Sequence, residues 1–166
     1  MKYYLITPDK CNKLQIKVFH DIVVEGGQVM IAGLEDRIKA ADFLSFCECE
    51  NEVAGVASIK NPDIGYKKET FRKANVEHLA DNYSFEIGYA VTKETHRRKG
   101  ISEQLIKLLM NNSNSKSFYA TTKNEGMRKL LEKIGFEKLG DNYTNANHET
   151  LTLYHYVRHI DLVTKV

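Results

Sequence analysis

The chain has 166 residues, 42% of them hydrophobic and 28% charged, which suits one soluble globular domain over residues 1–166 with enough length to bury a core. A formal net charge of +2 excludes bulk electrostatic attraction to nucleic acid or to an anionic membrane as the main business of the chain. No apolar stretch reaches a membrane-spanning length and MKYYLITPDK lacks a signal-peptide pattern, so the expected setting is cytoplasmic.

In chain order, KYYLIT reads as a short strand, and Pro8 with Asp9 as the start of a helix running to Phe19. GLEDRIKAAD is an amphipathic helix with Leu34, Ile38 and Ala41 on one face. FLSFCECENEVAGVASI reads as a hairpin turning at Glu50, Asn51 and Glu52. The stretch from Asn61 to Tyr83 is polar and irregular, with a short helix around TFRKA, and is the candidate for a mobile, substrate-facing loop. FEIGYAV is a strand, SEQLIKLLM a helix carrying Leu105, Ile106, Leu108 and Leu109, and SFYATT the next strand. Asn124 caps a helix through MRKLLEKI that Gly135 terminates. After GFEKLG, the polar turn GDNYTNANHE leads to a last strand, LTLYHYV. This order predicts a mixed α/β (α+β) fold, one sheet with helices on its faces.

Cys11, Cys47 and Cys49 have neither metal-like nor redox-motif spacing and read as reduced thiols, with Cys47 and Cys49 on one strand face. His155 and His159 are four apart in an alternating, strand-like run, so they make no zinc pair. No metal is expected.

The most informative stretch is Arg97-Arg98-Lys99-Gly100-Ile101-Ser102, between the strand FEIGYAV and the helix SEQLIKLLM. The first N–H groups of a helix lack internal partners and carry the positive end of the macrodipole. A glycine there lets backbone approach a phosphate, and the flanking cations add charge. A phosphate ester is the expected ligand. No GxxxxGK[ST] is present and no GxGxxG follows a strand, which turns the reading away from nucleotide hydrolysis and dinucleotide binding.

With the second block FYATTKNEGMRKLLEKIGF, the chain resembles the GNAT superfamily of N-acetyltransferases. Arg97-x-x-Gly100-x-Ser102 is similar to that family's acyl-CoA pyrophosphate loop, [QR]-x-x-G-x-[GA], and Ala120-Thr121-Thr122, Asn124 and LLEKIGF to its later strand–helix pair. GLEDRIKAADF, AGVASIKNP and ETFRKANV resemble a less characterised bacterial branch. The resemblance implies a central, mostly antiparallel sheet flanked by helices, with acetyl-CoA as co-substrate and an amine, small-molecule or protein-borne, as acceptor. It implies that Tyr89, Ala90 and Val91 serve the pantetheine arm and thioester through their backbone. Arg97, Arg98, Lys99, Gly100, Ile101 and Ser102 would hold the pyrophosphate, and Asn124 the arm. It also allows a homodimer.

The match departs from the family pattern at Ser102, where Gly or Ala is usual, and in an interval from Val91 to Arg97 one residue longer than common. KLLEK also lacks the tyrosine that many members use as general acid toward the departing thiolate. Glu86 falls where members often carry a glutamate base; the alternative is a strand glutamate that is solvated or paired with Arg or Lys. Tyr119, Tyr143, Tyr154 and Tyr156 are candidate proton donors or pocket walls, with packing as the other role for each. Tyr143 is singled out by its polar turn. His96 reads as an exposed loop histidine, and Lys123 and Arg128 either as CoA-phosphate contacts or as a solvated face. The rival functions are a non-catalytic CoA-binding regulatory module and a nucleic-acid-binding protein using residues 97–99. Near-neutral charge and the lack of a basic stripe speak against the second.

Overall fold

A computed structural model describes residues 1–158. His159, half of the histidine pair considered above, lies outside the described residues. The strand β1 (Lys2–Ile6) leads into a single 3-10 turn, Pro8–Lys10, and α1 spans Lys13–Glu25. The helix therefore starts later than Pro8 and Asp9 suggest, because Cys11 and Asn12 are extended and break the turn from the helix. Asn12 is the true cap. Its Oδ1 accepts from the Gln15 N–H at 2.8 Å, and Gln15 Oε1 accepts from the Asn12 N–H at 2.9 Å, a reciprocal capping box. Asn12→Ala is expected to cost about 1 kcal/mol, read as a lower urea midpoint with an unchanged slope.

After α2 (Leu34–Lys39), strands β2 (Phe43–Cys49) and β3 (Glu52–Lys60) form a hairpin. Its turn is two residues, Glu50 and Asn51, both at positive φ, while Glu52 already belongs to β3. The stretch 61–83 is more regular than its polarity suggests. Asp63 caps α3 (Ile64–Lys73) by accepting from the Tyr66 N–H at 3.0 Å, and a 3-10 helix follows at Glu77–Asn82. Only Thr70 and Phe71 of α3 are buried, so the helix carries almost no apolar period.

The remaining elements are β4 (Phe85–Thr92), α4 (Ile101–Asn112), β5 (Ser117–Thr122), α5 (Glu125–Lys133), β6 (Glu137–Lys138), β7 (Tyr143–Thr144) and β8 (Thr150–Val157). The sheet runs β1–β2–β3–β4–β5–β8–β6, with β7 also on β8. All of these pairings are antiparallel except β4 with β5. One face packs Phe19, Ile22, Leu34 and Ile38 of α1 and α2 against Leu44, Phe46, Val56 and Tyr89. The other packs Leu105, Ile106 and Leu109 of α4 and Leu131 of α5 against Cys47, Ile59, Ile87 and Phe118. A smaller cluster joins Phe71, Ala74, Ala80 and Tyr83 to Tyr119 and Leu153, so α3 and the 3-10 helix cover the sheet beside β5. Among the described residues no helix is long and apolar enough to cross a membrane.

Candidate active site

Among the described residues, the one parallel contact of the sheet is short. β4 and β5 pair only at Phe85–Phe118 and Glu86–Tyr119, and beyond these residues the strands separate. β4 also bulges. Its register on β3 passes from Ser58–Gly88 to Val56–Val91, so Ala57 faces both Tyr89 and Ala90, and Tyr89 takes φ 51°. The backbone from 87 to 92 thus has no ladder partner on β5 and offers its polar groups to the opening. The side chains there are committed elsewhere: Tyr89 and Val91 pack toward α1, Ala90 toward α4.

The opening leads to the basic turn. A 3-10 turn at Glu94–His96 absorbs the longer interval noted above, then Arg98 (φ 64°) and Gly100 (φ 74°) reverse the chain into α4. Arg97, Arg98, Lys99 and Gly100 are exposed, and a Cβ at Gly100 would meet no atom within 4 Å. The N-terminal amides of α4 therefore face open space, with no side-chain cap over them. Ile101 is a core residue and can serve a ligand only through its backbone. Ser102 Oγ lies 2.9 Å from Thr92 Oγ1, tying the first turn of α4 to the end of β4. His96 is buried rather than exposed: the 3-10 turn brings its Nδ1 to 2.9 Å from Thr95 Oγ1 and 3.7 Å from Glu52 Oε1.

Across the opening, Asn124 caps α5, its Oδ1 accepting from the Met127 N–H at 2.9 Å. The amide nitrogen is the end that can donate to a ligand. Lys123 pairs with Glu149, and Arg128 donates to the Thr150 carbonyl at 3.1 Å, so internal partners engage both cations.

At the root of the opening, Glu86 is buried on the α1–α3 side of the sheet, opposite to Ile87. Its Oε2 accepts from Lys60 Nζ at 2.8 Å and faces the Tyr119 hydroxyl at 3.4 Å. Burial pulls the Lys60 ammonium down, but Glu86, Tyr66 and Tyr89 outweigh it and hold Lys60 above the ordinary lysine range. Tyr143, half-buried on β7, shares this neighbourhood. Its phenol is raised by burial and then by Tyr66 and Glu86, against the Thr121 hydroxyl. Tyr66 is raised by Glu86 and then by burial, with Lys60, Thr70 and Thr121 acting the other way. The structure thus brings Glu86, Tyr119 and Tyr143 together and adds Lys60 and Tyr66, which sequence reasoning missed. Tyr154 and Tyr156 lie outside the group: the Tyr154 hydroxyl donates to Glu132 at 2.7 Å, and Tyr156 packs on Phe136.

Burial first of all raises the phenols of Tyr3 and Tyr154 to about 12, and those of Tyr83, Tyr119 and Tyr143 move the same way. In the unfolded chain these phenols lose their protons near pH ~10, while the folded chain still holds them. Lys60, with its raised value, likewise keeps its proton longer when folded. The folded state binds more protons in that range, so stability falls as pH rises above about 10. The urea midpoint is expected to be lower at about pH 11 than at about pH 9, and equal midpoints would contradict the shifts.

A cleft of about 510 Å³ between the Pro8–Lys10 turn, α1 and α2 holds none of these residues. Among the described residues no group of three or more His, Cys, Asp or Glu could hold a metal ion.

Residues 64–145, from the start of α3 to just past β7, match the family model of FR47-like proteins and include Glu86, the basic turn, Asn124 and Tyr143. No curated protein sequence matches the chain. Among solved structures, an acyl-CoA N-acyltransferase from Pseudomonas aeruginosa superposes with a TM-score of 0.68 at 9% identity, covering 94% of this chain and 99% of its own. YncA from Salmonella typhimurium, solved with its cofactor acetyl-CoA, gives 0.63 at 14% identity over 96% of this chain and 95% of its own. A ribosomal-protein-alanine N-acetyltransferase from Brucella melitensis gives 0.61 at 17% identity over 95% and 99%. At such identities the likeness to these structures is one of fold. Together with the FR47-like match across the opening, the basic turn and the capped helix, it identifies the chain as belonging to the GNAT superfamily of acyltransferases.

Proposed function

We propose that this acyltransferase moves an acetyl group from acetyl-CoA to a primary amine by direct attack, with no covalent enzyme intermediate and no metal. The observation that carries this reading is the separation of β4 from β5 beyond Glu86 and Tyr119, opening onto the Gly100 turn. The backbone of Tyr89, Ala90 and Val91 would hold the pantetheine arm and the thioester carbonyl, where the oxyanion develops. The turn Arg97–Ser102 and the first amides of α4 would hold the pyrophosphate. The Asn124 amide nitrogen would donate to the arm.

An amine enters as an ammonium, so a base must free its lone pair. Glu86, buried at the root of the opening, is the carboxylate positioned for this. Tyr143 would protonate the departing thiolate or wall the amine pocket. The acceptor is a small-molecule or protein amine, and three free cysteines suit a cytoplasmic setting.

The test has two stages. Acetyl-CoA binding is measured by calorimetry, and a panel of primary amines is then screened for thiol release and for acetylated acceptor by mass. Binding together with turnover on at least one amine is expected. Binding with no turnover across the panel would leave a CoA-binding regulatory module, and no binding would remove the donor assignment itself.

A further inference from the structure

Lys60 occupies a seat shaped for its ammonium. Its Nζ lies 2.8 Å from Glu86 Oε2, 4.9 Å from the centre of the Tyr89 ring and 5.8 Å from that of Tyr66. A carboxylate flanked by aromatic faces is an arrangement that holds a primary ammonium, because the ion pair and the ring quadrupoles act on the same charge. The stem is housed as well. A Cβ at Gly88 would stand 2.5 Å from Lys60 Cδ, so β4 is bare where the methylenes cross it. With the Lys60 side chain 18% exposed and that of Glu86 4%, little water competes for either charge. This seat lies where the β4–β5 pairing ends, so an amine approaching the opening meets Glu86 with a lysine already on it.

We infer that the seat is a primary-alkylammonium site that the chain fills with its own Lys60, and that an amine acceptor reaches Glu86 by displacing that ammonium. The seat itself rests on geometry; its tie to the acceptor rests on the acyl-transfer reading above. Lys60 is then a specificity-determining residue. It admits a ligand that exchanges one ammonium for another and excludes neutral groups, which would strand Glu86 and Lys60 apart in a poorly hydrated site.

The test empties the seat in two ways. Lys60→Ala removes stem and charge, while Lys60→Met leaves a stem over Gly88 and vacates only the volume of the ammonium. At neutral pH, n-butylammonium is the probe for the alanine variant and methylammonium for the methionine variant. Sodium at equal ionic strength and n-butanol are the controls. Each variant is expected to gain about 4 °C in melting temperature at tenfold excess of its amine over the dissociation constant, with no gain from n-butanol. The wild type is expected not to move, and adding Glu86→Gln to either variant should abolish the gain. An equal shift in the wild type, or no shift in a folded variant, overturns the proposal; the methionine variant carries the test if alanine does not fold. Acetyl-CoA titrated into the same samples reads the acyl-transfer assignment separately. Amine binding without acetyl-CoA binding keeps the seat and removes its acceptor role, and acetyl-CoA binding without amine binding removes the seat alone.

Discussion

Gly100→Val is expected to weaken acetyl-CoA binding by roughly 100-fold while the chain still folds. The reason lies in the conformation and the surroundings of that residue. Gly100 has φ 74° and stands immediately before α4, with open space where its Cβ would be. A β-branched side chain there projects into the volume that the proposed pyrophosphate site needs, and it drives the backbone away from a left-handed conformation. Each charge-assisted bond from a helix-terminal N–H to phosphate is worth about 1.5–3 kcal/mol, so losing one or two accounts for the expected change. The strain itself costs about 2 kcal/mol, a fall of about 4–8 °C in melting temperature for a chain of this size. Calorimetry with acetyl-CoA and a circular-dichroism melt give both values. Unchanged affinity in a variant that melts cooperatively would remove the turn from the phosphate site.

Glu86→Gln is expected to lower kcat by about 10²–10³-fold and to leave the acetyl-CoA dissociation constant within about threefold. The amide has nearly the shape of the carboxylate but cannot take a proton at neutral pH. The acid limb of the pH–rate profile should therefore disappear with the carboxylate. A variant that keeps the wild-type profile would clear Glu86 of the base role and leave it as the partner of Lys60. Stability should fall as well, because Lys60 loses its counter-charge. The remaining amide oxygen can still accept from Nζ, which keeps the loss below the about 3–5 kcal/mol of a fully orphaned buried charge.

What could be read from the sequence, and what could not, divides by the range of the interaction. The Gly100 turn and the Asn124 cap are local: each rests on residues within four positions of a helix start, and the structure carries both helices from those points. Asn12 and Gln15 carry an equally local signal, but Pro8 four residues earlier offers a competing start and drew the helix too far forward. Sequence shows only the last turn of α3, around TFRKA, because the contribution of the helix to the core rests on Thr70 and Phe71 rather than on a stripe along its length. The Lys60–Glu86 pair is out of reach of any local rule. It depends on the register of β3 on β4, and the Tyr89 bulge shifts that register by one residue. His96 is similar, since it is buried where the chain passes the turn of the distant β2–β3 hairpin, its Nδ1 3.7 Å from Glu52 Oε1.

The two-pair contact between β4 and β5 also has a mechanical meaning. Continuous ladders join β1, β2, β3 and β4 into one leaf, and β5, β8 and β6 into another. Among the described residues, the leaves meet within the sheet only at Phe85–Phe118 and Glu86–Tyr119, the line about which one leaf would turn on the other. A few degrees of rotation about it would widen or narrow the groove while disturbing the hydrogen bonds of those two pairs alone. Glu86, on that line, would move least in such a rotation, so its pairing with Lys60 would persist while the walls adjust.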